Sequence, residues 1–570
     1  MASSLQSVRR LGTRILPKNS SPLEKHVMKR SFSRGVSLCR AARLITSDNH
    51  VHSPCEPMLV PRVSLGQHLM GCLEKYKDLE ALVDIPTERR MSFSQLRDAV
   101  IRVTSALNKL GIKKGEVVSL CSLNCLEYVV LCVAVLNVGA VVSPINPAST
   151  PEDIARQMKI CGAVAMVSGP QFIPMVNAGL SNNTNVKTKI VLGSSDGWLP
   201  FSSLMEDDGQ AFSQPQDVDP EKDLAFLPYS SGTTGFPKSV MLTHANVLTN
   251  LIQFAQVFPP EAGVDRVLGY LPFFHAYGLN GKILYTLNGG TSLTIIPKFD
   301  ENFLQTMHKE KITILHLVPP VCVYMIKNPS IKKHGLPFVK RVVSAAASLT
   351  KDTILEFEKV TGLTELGQGY GLTETSPVVT FDAPPTNYGS TGQLVFDTTI
   401  KVIDLKTGEC LSAGQDGEIC VKGPQVMAGY YGNPAATADA LRGGWFHTGD
   451  VGHYDEEGYL YITDRVKELI KYKAQQVAPA ELEGLLLTHP WVQDAAVIGV
   501  PDPEAGELPR AYVVIKPGAT SDVTPEAVTS FVNGKVASYK KLRGGVHFIK
   551  QIPKSPSGKI LKRELRESRS

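Results

Sequence analysis

The run Tyr229-Ser230-Ser231-Gly232-Thr233-Thr234-Gly235-Phe236-Pro237-Lys238 concentrates the groups that phosphate binding needs. Its glycines free the backbone for conformations that side chains forbid, and four aliphatic hydroxyls and a lysine offer donors to phosphate oxygens. The Walker A spacing GxxxxGK[ST] is absent, so any phosphate cradle here is of another kind; a polar turn with a chance lysine is the alternative. Glu374, beside Thr373, is the best candidate for a hard cation such as Mg2+, which takes a carboxylate and shares it with phosphates. Without a phosphate site nearby, the same pair reads as a helix N-cap followed by a first-turn acid. Asp450 after Gly449 has the form of a turn aspartate, Lys559 that of a terminal cation in a Ser-Gly-Lys setting, and His275 that of a core histidine behind two phenylalanines.

The elements that would position these residues alternate. Apolar, β-rich runs at 117–122, 140–146, 163–168 and 189–193 resume at 224–229, 267–274, 292–297, 312–318 and 341–347, separated by helical or loop segments. Such alternation implies parallel sheets covered by helices. The phosphate-suited run follows one strand and precedes an amphipathic helix over 243–258. Shorter strands at 393–404 and 417–423 suggest a small β subdomain. Charge density rises at Asp464, and beyond it a helix near 481–487 and strands at 495–500 and 511–515 suggest a small α+β C-terminal domain. The expected division is 1–50 as a leader, 51–464 as a large α/β N-terminal domain and 465–570 as the small domain.

The formal charge of +5 is unevenly placed: the first 44 residues hold ten Lys and Arg against Glu24 alone, leaving the remainder net acidic. A body without a basic surplus argues against nucleic acid as a partner. The basic, Ser-rich, acid-poor start, with Leu5, Val8, Leu11 and Ile15 at roughly helical spacing, has the composition of a mitochondrial transit peptide, and a matrix location is expected; a basic tail of a cytoplasmic protein is the alternative. Ten cysteines include no CxxC pair and read as reduced core residues. The longest apolar run, 128–136, is too short to span a bilayer, so no transmembrane segment is expected.

In order along the chain stand the loop at 229–238, Leu271-Pro272-Phe273-Phe274-His275, Gln368-Gly369-Tyr370-Gly371-Leu372-Thr373-Glu374, Gly444-Trp445-Phe446-His447-Thr448-Gly449-Asp450, Asp464-Arg465-Val466-Lys467-Glu468-Leu469-Ile470-Lys471 and Pro553-Lys554-Ser555-Pro556-Ser557-Gly558-Lys559. Together they closely resemble the motifs of the adenylate-forming superfamily: acyl-CoA synthetases, 4-coumarate:CoA ligases and beetle luciferases. The resemblance covers nearly everything after residue 60.

It implies ATP binding by Ser230, Ser231, Gly232, Thr233, Thr234, Gly235, Lys238, Gln368, Gly369, Tyr370, Gly371, Thr373, Asp450, Arg465 and Lys559. Tyr370 would stack on adenine, Thr373 contact the α-phosphate, and Asp450 take the ribose hydroxyls with Arg465 assisting. It places an acyl pocket at His275, Ala276, Tyr277, Ser344, Ala345 and Ala346. Lys559 is assigned to adenylation and Lys471, Lys473 and Gln476 to the coenzyme A step. Lys559, Lys471 and His275 are the candidate catalytic residues. Asp464 matches the hinge about which the small domain exchanges the two half-reactions. Glycine is usual in the family where this chain has Ser239, Ala345 and Ala474, and proline where it has Ser348, which bears on pocket shape and on the approach of coenzyme A.

The expected activity is an ATP- and Mg2+-dependent acid:CoA ligase that forms an acyl-AMP from a fatty or aromatic acid and releases AMP and pyrophosphate. A luciferase-like oxygenase and a non-catalytic binder of nucleotide or acyl-CoA are the alternatives.

Overall fold

The computed structural model describes residues 44–570, apart from Gln216, 231–236, Glu301, Ser348, Glu365, Pro385, Lys467, Ala474, 555–559 and 568–570; of Gln475, Gln476 and Arg563 it describes the backbone alone. Ser231, Gly232, Thr233, Thr234, Gly235 and Lys559 therefore lie outside the described residues, as does nearly all of the basic leader.

Two nine-stranded sheets carry the large domain. In the first, Leu224–Phe226, Val141–Ile145, Val117–Cys121, Ala165–Ser168, Thr188–Val191 and Leu199–Pro200 run parallel in that spatial order. Val117–Cys121 and Val141–Ile145 are buried at every position, as expected of strands covered on both faces. Lys238–Thr243 joins this sheet antiparallel, with Tyr229–Ser230 and Gly429–Tyr430 paired to it. In the second sheet the parallel strands are Gly367–Gly371, Arg341–Ser344, Ile314–Leu317, Arg266–Gly269, Ser292–Ile295 and Glu80–Asp84. Antiparallel strands close both of its edges. The interior is thus parallel, as expected, with antiparallel additions at the margins.

Several strands are shorter than their apolar runs. The run 224–229 splits around Pro228, whose missing N–H interrupts the ladder. The run 267–274 is strand only over Arg266–Gly269, because the chain then leaves the sheet to deliver residues 271–275. The apolar run 128–136 is the middle of helix Leu126–Val138, which is buried from Tyr128 to its end and packs against helices Leu65–Lys75 and Phe93–Lys109. A helix apolar on all faces belongs in a core. Each buried Val or Leu contributes roughly 1.5–3 kcal/mol. Among the described residues no helix is long and apolar enough to cross a membrane.

Helix His244–Val257 begins at a reciprocal cap, in which Asn246 N–H donates to Thr243 Oγ1 and Thr243 N–H to Asn246 Oδ1, each at 3.1 Å. Its Asn250 exchanges two hydrogen bonds with Val378, fixing strand Val378–Phe381 against it. A five-stranded sheet of Val51–His52, Thr399–Ile403, Gly417–Lys422, Phe446–Tyr454 and Leu460–Arg465 forms the β subdomain. Residues 44–50 make a turn that leads into Val51–His52. The last sheet holds Gln475–Val477, Ile470–Tyr472, Gly506–Ile515, Val492–Asp502 and Val546–Phe548, with helices Pro479–Leu487 and Pro525–Asn533 on a hydrophobic cluster of its own.

One buried acid in this framework makes stability depend on pH. Asp382 follows strand Val378–Phe381, is 2% exposed, and accepts a hydrogen bond from Asn387 N–H at 3.1 Å. Burial pushes its carboxyl up to about 7 from the ordinary 3.8. The folded protein therefore holds a proton that the unfolded chain releases between about pH 4 and 7, so stability falls as pH rises through that window. Asp382→Asn is expected to raise the thermal midpoint at pH 8, where the relief is at most about 4 kcal/mol, and to leave it unchanged at pH 4. Equal midpoint shifts at both pH values would contradict this.

Candidate active site

Strand Gly367–Gly371 brings Tyr370 to the β subdomain, where Asp450 and Arg465 face each other across strands Phe446–Tyr454 and Leu460–Arg465. Tyr370 OH donates to Asp450 Oδ2 at 2.8 Å, and Arg465 Nε donates to Asp450 Oδ1 at 2.9 Å. Asp450 is buried, so these charge-assisted bonds act in a medium that strengthens them. Burial first, and the Asp450 charge second, hold the Tyr370 phenol well above its ordinary pKa, which keeps it a donor.

A second group forms around Tyr430. Glu374, in the turn Thr373–Thr375, is buried, and its Oε1 accepts Tyr430 OH at 2.9 Å while its backbone carbonyl accepts Met427 N–H. Lys238 Nζ lies 4.6 Å from the centre of the Tyr430 ring. Ser230 pairs with Lys238 in the strand register, and the buried hydroxyls of Ser230 and Ser239 have no hydrogen-bond partner among the described residues. Gly371 is required by close approach: a Cβ there would sit 1.7 Å from the Pro377 carbonyl oxygen. One hard carboxylate, backed by a neutral hydroxyl and grouped with a lysine and the Ser230 hydroxyl, is a donor set that fits Mg2+ shared with phosphates.

The segment after Arg266–Gly269 is held by a residue that sequence reading passed over. Asn124, 3% exposed, donates from Nδ2 to the carbonyls of Gly269 (3.2 Å), Leu271 (2.9 Å) and Ile296 (3.3 Å), and its Oδ1 accepts Phe273 N–H at 2.8 Å. It follows the strand Val117–Cys121 of the first sheet and so ties that sheet to the loop of the second. His275 Nδ1 accepts Tyr277 N–H at 3.3 Å and caps the turn Ala276–Gly278. Ala276 is buried and Tyr277 partly so. Across strand Ile314–Leu317, at the end of strand Arg341–Ser344, Ser344 is buried; just beyond it Ala345 is half-buried with its N–H on the Leu317 carbonyl, and Ala346 is exposed with φ 75°. The left-handed backbone beside the family's usual glycine thus falls on Ala346.

Gln368 and Gly369 occupy the same strand as Tyr370, but the Gln368 side chain acts within the protein. Its Oε1 accepts Leu349 N–H at 2.8 Å and its Nε2 donates to the Ser390 carbonyl at 3.0 Å. Gly369 has only ordinary contacts around its missing Cβ, with the Ala345 Cβ 4.0 Å away.

In the C-terminal sheet Lys471 and Gln476 are register partners on the hairpin Ile470–Tyr472 and Gln475–Val477. Lys471 is exposed, with its N–H on Glu507 Oε2 at 2.8 Å. Lys473 is exposed at φ 44°. Asp464, 7% exposed, accepts N–H bonds from Arg465 (2.7 Å) and Ala480 (3.2 Å), and burial pushes its carboxyl up to about 6. Nearby, buried Lys562 pairs with Glu468 at 3.1 Å and Glu483 at 3.0 Å.

One further group of potential ligands is Glu418, Cys420 and His447. His447 Nδ1 lies 3.1 Å from Glu418 Oε2, but Arg442 Nη2 stands 3.0 Å from the same nitrogen, and burial pushes the Cys420 thiol up to about 12. A guanidinium and a protonated thiol make this an ion-pair cluster rather than a metal site.

Two family models match the chain: AMP-binding enzyme over residues 72–431 and AMP-binding enzyme C-terminal domain over residues 481–559. It is 38% identical over 524 residues to 4-coumarate–CoA ligase 5 of Oryza sativa subsp. japonica, covering 89% of this chain and 96% of that one. Among solved structures it resembles ATP-bound MatB from Rhodopseudomonas palustris, with a TM-score of 0.82 and 28% identity over 89% of this chain and 99% of that one. It also resembles the anthranilate CoA ligase AuaEII in complex with anthranoyl-AMP, with a TM-score of 0.81 and 26% identity over 89% and 98%. With its ordered motifs, its fold and both family models in agreement, the chain belongs to the AMP-binding enzymes of the adenylate-forming superfamily.

Proposed function

We propose that the chain activates an aromatic or fatty acid, with Tyr370, Asp450 and Arg465 holding the adenosine end of ATP and Lys238, Ser230 and Glu374 its phosphate end. The activity is that of an ATP-dependent acid:CoA ligase working through an acyl-AMP. The observation that carries the residue assignment is the two-part cluster: a carboxylate aimed by Tyr370 and Arg465, and a second carboxylate joined through Tyr430 to Lys238, whose register partner Ser230 has a buried hydroxyl without a partner among the described residues.

A carboxylate oxygen of the acid attacks the α-phosphorus of ATP and pyrophosphate leaves; the thiol of coenzyme A then attacks the acyl carbonyl, loses its proton and expels AMP. Neither step needs a protein nucleophile, so the side chains act by position and charge. Tyr370 OH on Oδ2 and Arg465 Nε on Oδ1 orient the Asp450 carboxylate, which would take the ribose hydroxyls. Glu374 would hold Mg2+, which neutralises phosphate charge when bound. Lys238 reaches phosphate oxygens from its place over Tyr430. Lys559 supplies a cation to the adenylation step, and Lys471, Lys473 and Gln476 serve thioester formation after the small domain turns about Asp464. His275 and Tyr277 on one side, and Ser344 and Ala345 on the other, border the acid.

Purified enzyme given ATP, Mg2+ and a panel of aliphatic acids of graded length and of aryl acids is expected to release pyrophosphate with some of them, and AMP plus the thioester once coenzyme A is added. Failure to release pyrophosphate with every acid would end this reading; oxygen-dependent light in place of thioester would redirect it. The basic leader supports delivery to the mitochondrial matrix. Residues 1–50 fused to a fluorescent protein should then colocalise with mitochondria, and diffuse cytosolic fluorescence would refute it.

A further inference from the structure

Behind the acyl segment lie two polar side chains that the roles above do not use, Lys282 and His316, next to Tyr277, whose hydroxyl those roles leave unassigned. Lys282 Nζ, both ring nitrogens of His316 and the Tyr277 hydroxyl are buried with no hydrogen-bond partner among the described residues. Lys282 and His316 are 0% exposed. The Lys282 amine lies 4.9 Å from the centre of the Tyr277 ring, and the His316 ring lies 5.9 Å from the same ring. Phe254, Phe258 and Tyr285 complete the surround of His316 at 5.9, 5.6 and 5.9 Å.

Their placement follows from the fold. Lys282 sits in a π-helical turn, Leu279–Leu284, directly after the Ala276–Gly278 turn that His275 caps. Such wide turns recur at functional sites because they re-aim side chains. His316 sits in strand Ile314–Leu317, paired with Arg341–Ser344, the strand that leads into Ala345. The cluster therefore lies between the two segments that border the acid.

Buried polar side chains are nearly always hydrogen-bonded, and a lysine almost never lies fully buried without an anion. The carboxylate of this region, Asp265, is engaged by Arg341 at 2.5 Å and by Thr313 at 3.0 Å. Burial holds both Lys282 and His316 well below their ordinary pKa, the response of basic groups that lack an anion. An amine, an imidazole and a phenol are all able to donate, and an ionised carboxylate is the group with lone pairs enough to accept from all three.

We propose that Lys282, His316 and Tyr277 receive a second carboxylate at the far end of the acid, so that the preferred substrates are acids carrying a distal carboxyl group. The proposal rests on the ligase reading of the neighbouring site.

The test compares matched pairs, octanoic with octanedioic acid and cinnamic with 4-carboxycinnamic acid, in full-length wild type, Lys282→Met and His316→Leu. The expected result is that wild type favours the distal-carboxyl member of a pair in kcat/KM. In both variants the diacid-to-monoacid ratio should fall at least tenfold, with KM for ATP unchanged and no loss of thermal midpoint. A ratio unchanged in both variants, or a wild type that favours the monoacid of every pair, would overturn it. Should wild type turn over none of these acids, thermal shifts with octanedioate decide separately: stabilisation of wild type but not of Lys282→Met supports the site, and equal or absent stabilisation overturns it.

Discussion

Asp450→Asn is expected to lower acid-dependent ATP–pyrophosphate exchange by about a hundredfold or more, mainly through the nucleotide. The amide keeps the volume but loses the charge that Arg465 pairs with at 2.9 Å, and it brings a donor to a place where Tyr370 OH and Arg465 Nε already donate. A hydrogen bond to a charged group is worth about 1.5–3 kcal/mol, so two of them account for the expected fall. Because Asp450 is buried and Arg465 partly exposed, the variant also leaves a cation under-compensated, at a cost below the roughly 3–5 kcal/mol of breaking a fully buried pair. The thermal midpoint should therefore drop together with activity, and KM for ATP should rise while KM for the acid changes little. A variant with a raised acid KM and an unchanged ATP KM would show that this cluster does not face the nucleotide.

Glu374→Gln should be as damaging to rate and far gentler on stability. The glutamine carbonyl still accepts Tyr430 OH, so the link seen at 2.9 Å persists and the turn Thr373–Thr375 keeps its place. What disappears is the negative charge. If that carboxylate holds Mg2+ with the phosphates, adenylation falls by about a hundredfold, and the Mg2+ concentration for half-maximal rate moves upward by more than tenfold. Glu374→Asp should lie between the two. An unchanged Mg2+ dependence would remove Glu374 from the metal and leave it as the residue that orients Tyr430.

The sequence read well where a local pattern and a local structure coincide. The apolar run 117–122 became strand Val117–Cys121, and the first four residues of 341–347 became strand Arg341–Ser344, because their valines are buried, and helix His244–Val257 begins where Thr243 and Asn246 form a cap. The site motifs were legible because glycines and charged residues recur at fixed spacing, and two of their members, Asp450 and Arg465, prove to be register partners. Side-chain destinations were not legible. Gln368 reads as a nucleotide contact by its place among glycines, yet its amide bridges Leu349 and Ser390. Asn124 carries no signal at all, since its partners lie more than a hundred positions away and a single asparagine before a helix reads as a turn. Lys282 and His316 were hidden for a related reason: their significance is the lack of a partner, which only packing reveals.

Asn124 has an implication for how such an enzyme changes its diet. Its four hydrogen bonds all go to main-chain atoms, so the strut it forms is indifferent to which side chains the acyl loop carries. Residues such as Lys282 and His316 are then free to drift toward new acids while the loop's path stays fixed. The retuning of substrate range is thereby uncoupled from the scaffold, and a library that varies those two positions should leave Asn124 untouched.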